Sequence, residues 1–223
     1  MLHYMKNKFY LIVIIFIYLT FTIYPQIKKT PKVIPIDQSS KDISLIKFKN
    51  EIFNAIEKKD TNFLVSILDT NILNSFGGNG GIQEFWDMWQ MEDPNTSFWK
   101  ELKKVFTMGG TFIDNNKNMF AMPYLFGIWP EDYDPFSFVA AINKDVEIHE
   151  NPSKKSKIIK KINYEILMLV DFEDENNNWK KVMTVDSVYG FIQKDFVRSP
   201  IDYRVILQKE KGKWKITSFV AGD

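Results

Sequence analysis

NNNWKKVMTVDSVYGFIQKDFV, Asn176 to Val197, is the stretch whose reading decides the fold. A polar run leads into Trp179. Trp179 to Val185 and Tyr189 to Gln193 have the β-branched and aromatic composition of short strands. Asp186 and Ser187 supply a turn between them, and Gly190 alternates with Tyr189 and Phe191. The same texture spreads outward over Phe138 to Val197. VEIHE, IIKKI and EILMLVDF, beginning at Val146, Ile158 and Glu165, are further short segments separated by polar turns. Strands at this spacing predict a small barrel or sandwich. Beyond it, Tyr203, Val205 and Leu207 alternate, Glu210 to Lys213 turns, and Trp214 and Ile216 alternate again, which predicts a closing hairpin.

Upstream the period changes from two to helical. Leu45, Phe48, Ile52, Ala55 and Ile56 form one apolar stripe. Asp60 or Thr61 then caps a short helix carrying Phe63, Leu64, Ile67 and Leu68. In FGGNGGIQEFWDMW, Phe76 to Trp89, four glycines precede a helix that buries Ile82, Phe85, Trp86 and Trp89. Asp93-Pro94 reads as a cap with proline at the first helical position. The helix after it carries Phe98, Leu102, Val105 and Phe106, and Gly109-Gly110 ends it. Thr111 to Met122 reads as two short strands around an Asp-Asn-Asn-Lys-Asn turn. No long internal repeat is present.

The amino terminus is of another kind. Lys6 and Lys8 precede Phe9 to Tyr24, 16 uncharged and mostly apolar residues ended by Pro25. That length lies between a signal-peptide core and a spanning helix. Residues 1–25 are therefore expected to be an export signal or an uncleaved membrane anchor, with 26–40 a proline-bearing linker. The leader through Thr30 holds four lysines and no acid. The remainder carries 25 basic and 28 acidic residues, a net charge of −3. Such a body lacks the basic excess of a nucleic-acid binder. No cysteine is present, which removes disulfides, thiolate metal sites and thiol nucleophiles.

Candidate chemistry is sparse. His149 is the one histidine of the body; in VEIH it falls on the polar face and reads as plainly exposed. The glycine loop with Gly78, Gly80 and Glu84 has two readings. It is a tight turn packed on rings, or a nest of amides for a small anion or carboxylate. A phosphate loop is excluded, because no Gly-Lys-Ser/Thr follows. Glu131, Asp132 and Asp134 read as a solvated loop, with weak calcium binding as the alternative. Asp171 to Glu175 reads as a solvated turn. No catalytic residue, metal or cofactor is assigned.

Two resemblances organise these pieces. VEIHENPSKKSKIIKKI from Val146, WKKV from Trp179, and YGFI with DFV from Tyr189 resemble, in order, a bacterial SH3-like domain over about sixty residues. The chain departs from that family at Ser187-Val188, where a glycine turn is usual. AIEKKDTNFLVSIL from Ala55 and YRVILQKEKGKWKITSF from Tyr203 resemble the opening helices and closing hairpin of nuclear-transport-factor-2-like cone folds. The implied fold is α+β: a membrane-length N-terminal helix, a helical and curved-sheet domain at 41–137 plus 201–223, and an all-β SH3-like barrel at 138–200. The resemblance implies an exported binding protein of the bacterial envelope, recognising cell-wall peptide or a protein partner, with Asn178, Asp186 and Tyr189 as contacts. A cone domain that binds a small molecule, or hydrolyses through carboxylates, is the alternative.

Overall fold

The helical half is built where acidic caps meet apolar stripes. The computed structural model describes residues 30–170 and 178–222. The expected leader and the Asp171–Glu175 turn lie outside the described residues. Helix α1 spans Ile43–Lys58; the Asp42 carboxylate accepts from the Ser44 and Leu45 amides at its start. It ends at Lys59 in the left-handed region, whose amide returns to Ala55 and Ile56. Its buried face contains the predicted stripe together with Lys49. Asp60 caps α2, Thr61–Ile67, through the Phe63 amide. Leu68 leaves the helix and opens strand β1, Leu68–Leu73. Helix α3 is Ile82–Met88, and α4 is Phe98–Thr107.

Two expectations shift here. Asp93 does not cap α4. It closes a turn, accepting from the Asn95 amide, and the helix starts after Ser97. Residues 31–40, read as part of a linker, are mostly exposed but anchored at particular points. Val33 is buried, its amide donates to the Tyr164 carbonyl, and the Gln38 amide donates to Gly110.

Strands β2, Thr111–Phe112, and β3, Met119–Met122, flank the predicted turn, where the Asp114 carboxylate accepts from the Asn118 and Met119 amides. Helix α5, Tyr124–Ile128, follows. The next strands are β4, Phe138–Ala141; β5, Val146–His149; β6, Ile158–Ile162; and β7, Ile166–Leu169. After them come β8, Trp179–Met183; β9, Tyr189–Gln193; and β10, Val197–Arg198. The chain closes with β11, Arg204–Glu210, and β12, Lys213–Val220, joined through Lys211 and Gly212 at positive φ.

The strands make two sheets. One is five-stranded, ordered β1-β12-β11-β3-β2, so the closing hairpin enters between strands made more than eighty residues earlier. The β1–β12 pairing is parallel. The other is seven-stranded and antiparallel, ordered β10-β4-β7-β8-β9-β5-β6. Its order starts at β10 and ends at β6 with no pairing that joins them. The expected all-β unit is thus present as an open sheet, and the closed barrel is not. The architecture is mixed α+β. Among the described residues no helix is long and apolar enough to cross a membrane.

Three apolar clusters hold these layers. Helices α1 to α4 pack on the five-stranded sheet through rings, including Phe85, Trp89, Phe98, Trp99 and Phe219. The seven-stranded sheet encloses Val139, Ile148, Leu167, Val182 and Ile192. Val33, Tyr124, Leu125, Ala140 and Ile166 form the third cluster. Strands β4 and β7 contribute alternate residues to the last two clusters.

Candidate functional site

The hairpin quoted first sets the site's frame. Strands β8 and β9 pair from Trp179↔Gln193 to Met183↔Tyr189. Gly190 belongs there for a steric reason. A Cβ on it would lie 2.4 Å from Ile148 Cγ2 and 2.7 Å from the His149 carbonyl oxygen, so only glycine lets β9 lie this close to β5. At the hairpin tip, Ser187 takes φ 63°, in the left-handed region that favours glycine. The Thr184 hydroxyl bonds the Asp186 carboxylate at 2.6 Å and accepts from the Val188 amide at 3.0 Å, which holds the turn.

This geometry separates the predicted contacts. Tyr189, 56% exposed, and Asp186 share the tip. Asn178 is at the other end, where its carbonyl accepts from the Lys194 amide. Five residues of strand, roughly 16 Å, lie between the two ends. Asp186 accepts from Lys160 Nζ at 2.7 Å, and this bond together with Thr184 holds its carboxyl below the usual range.

Gly78, Gly80 and Glu84 are elsewhere, between β1 and α3. The Glu84 carboxylate accepts from the Asn79 amide at 2.7 Å, the Gly80 amide at 3.2 Å and Asn74 Nδ2 at 3.3 Å. The nest of amides is real, and the carboxylate in it belongs to the chain itself. A side chain at Gly78 would meet Glu84 Oε1 at 2.4 Å.

His149 needs a correction, for it is 5% exposed. It does share a face with Glu147, whose Oε2 lies 3.5 Å from Nε2. That face is covered. The Trp179 ring stands edge-on at 5.2 Å, and the Ser156 carbonyl sits 3.2 Å from Nδ1. Glu147 also bonds Lys161 Nζ at 2.9 Å, which is the main cause of its lowered pKa.

The covered histidine forms the floor of a concavity of about 330 Å³. Lys144, Asp145 and Glu147 give it both charge signs; Gln193 and Phe196 complete the wall. These residues come from the β4–β5 connection, from β5, from the end of β9 and from the turn before β10. No sequence signal joins them, because nothing local brings residue 144 beside residue 196.

The acidic loop resolves as a capped turn. Asp134 accepts from the Ser137 hydroxyl and the Phe136 amide, which lower its pKa in that order of size. Among the described residues no group of three His, Asp or Glu side chains is placed to hold a metal ion. The interior of the helical half is packed with rings. Trp89 stacks on Phe219 at 5.2 Å, and Phe98 meets Phe85, Trp89, Trp99 and Phe219 edge-on within 5.6 Å. No protein-family model matches the chain, and no curated protein matches it.

Proposed function

We propose that this chain is a non-enzymatic binding protein of a bacterial cell envelope, exported or anchored by its apolar amino terminus. Its SH3-like seven-stranded unit would recognise cell-wall peptide or an envelope protein partner. The observation that carries the reading is the concavity of about 330 Å³ beside β5. Its mixed lining of Lys144, Glu147 and Gln193, with the half-exposed Phe196 ring, suits a peptide that offers both charges and backbone amides. His149, the residue type most suited to general acid–base work, is tied between Glu147 and the Ser156 carbonyl under Trp179. That arrangement favours binding over catalysis. The ring packing in the helical half weighs against the alternative, a ligand-holding cone.

The test is co-sedimentation of residues 31–223 with purified cell-wall sacculi at low and moderate salt. Retention at both salts, lost in Phe196→Ala and in Glu147→Lys, supports the reading. Loss in Tyr189→Ala alone would move the contact surface to the hairpin tip. No retention by the unaltered protein would overturn wall recognition and leave a protein partner.

A further inference from the structure

Lysine supplies nearly all of the chain's positive charge; only Arg198 and Arg204 are arginine. Both are buried, at 3% and 4% exposure. They stand at the two ends of the crossover between the sheets, Arg198 closing β10 and Arg204 opening β11. Arg204 is committed to structure. Its Nη1 donates to the Ile201 carbonyl at 3.2 Å, and its guanidinium lies over the rings of Phe126 and Phe76. Arg198 is only partly committed. Its Nη2 donates to the Tyr203 carbonyl, while Nε, fully buried, has no hydrogen-bond partner among the described residues. An arginine stays charged when buried, and a buried N–H without an acceptor is costly. A native structure keeps such a group for a reason.

The surroundings supply one. Arg198 borders a second concavity, of about 410 Å³, which Lys180, Lys194 and Ser199 also line. Lys180 forms no ion pair among the described residues. Asp202 contributes a carboxylate to the wall, and it accepts from the Ser199 amide at 3.1 Å. The rest of the wall is aliphatic: Val139, Leu169 and Val197. Cationic donors and a hydrocarbon surface in one concavity suit a charged head with a short apolar stem.

We propose that this concavity binds an organic carboxylate with an aliphatic stem. The carboxylate is held by the charge of the Arg198 guanidinium that borders the concavity and accepts from Lys180 Nζ, and the stem lies along Val139, Leu169 and Val197. Hydrogen bonds between charged partners are about twice as strong as neutral ones. Inorganic phosphate would satisfy the donors and leave the aliphatic wall unused. The site is independent of the docking surface above. Gln193 and Phe196 line the first concavity, whereas Lys194 and Val197 line this one.

Because the chain has no other arginine, the two Nε–Hε signals of ¹⁵N-labelled residues 31–223 report on the proposal directly. These residues form one compact unit. Sodium butyrate is titrated against sodium chloride at equal ionic strength. Butyrate is expected to shift the Arg198 signal saturably, leave Arg204 unmoved, and bind about tenfold more weakly to Lys180→Gln. N-acetyl-alanyl-alanine repeats the titration as a peptide carboxylate, with its C-terminal amide as control. Binding of the acid and not the amide extends the assignment to peptide termini. Equal shifts with chloride, saturation by phosphate without butyrate, or unchanged affinity in Lys180→Gln would overturn it. The Lys180 variant changes a half-exposed side chain, so the test does not rely on removing the buried arginine.

Discussion

Between the helices and the five-stranded sheet the interior is built of rings, and Phe98 alone meets four of them edge-on. Inside the seven-stranded sheet, among the described residues, the core is aliphatic: Val139, Ala141, Val146, Ile148, Ile162, Leu167, Val182 and Ile192 make it. Edge-to-face rings bury large areas and fix one another's orientation. Small aliphatic side chains do neither, so the second core depends on how closely its strands approach. The first half is specified by side-chain volume and the second by backbone fit.

The largest effect that tests this contrast is Phe98→Ala. Removing a fully buried ring should cost about 3–5 kcal/mol, read as a lowered urea midpoint. A loss below about 1 kcal/mol would mean that the rings do not act as one core. Gly190→Ala comes next. The added methyl meets Ile148 and the His149 carbonyl at under 3 Å, and about 1–3 kcal/mol should be lost. Hydrogen exchange should quicken in β5 and β9 first; equal acceleration in β11 and β12 would deny the second core any separate dependence on fit.

Asp42→Ala sharpens the comparison from the helical side. It removes the α1 cap and the 2.8 Å bond from Lys209, at a cost of about 1–2 kcal/mol at neutral pH. Burial acts to raise the Asp42 pKa, but the bonds from Lys209, Ser44 and Leu45 outweigh it and bring it down from 3.8 to about 2. A carboxyl whose folded pKa is depressed adds stability above its unfolded pKa and loses it as pH falls through the folded value. The difference between unaltered protein and variant should therefore be full at pH 5 and shrink between about pH 4 and 2. A constant difference across that window would assign the loss to packing instead. The smallest effect is a gain. Ser187→Gly relieves a left-handed non-glycine residue and should raise stability by about 0.5–1 kcal/mol, seen as a higher melting temperature.

The same contrast governs what was legible. The α1 stripe, the Asp60 cap, the Gly109 stop and the Lys211-Gly212 turn all came from signals within a few residues of where they act. Strands β5, β8 and β9 were visible as short segments between polar turns. Strand β4 was not: Val139 and Ala141 enter one cluster and Ala140 another, so FVAA shows no alternation. Leu68 fitted the helical spacing of α2, yet pairing with Ile216 draws it into a strand. The glycine loop's positive φ at Gly80 and Gly81 was readable. That Glu84 would occupy its amides was not, since either an internal or an external carboxylate satisfies the same pattern. Lys144, Asp145, Gln193 and Phe196 were missed because only the fold assembles them.

By itself the sequence determined the caps, the turns, the change from helical to strand period near residue 138, and a body without thiol chemistry. These depend on residue type and on neighbours within one or two turns of chain. The tertiary structure alone decided that the seven-stranded sheet stays open, that His149 lies under Trp179, and that Arg198 keeps a buried Nε beside Lys180. Each of these is set by which distant segment covers a given face, and burial of that kind leaves no periodic mark on the residues it covers.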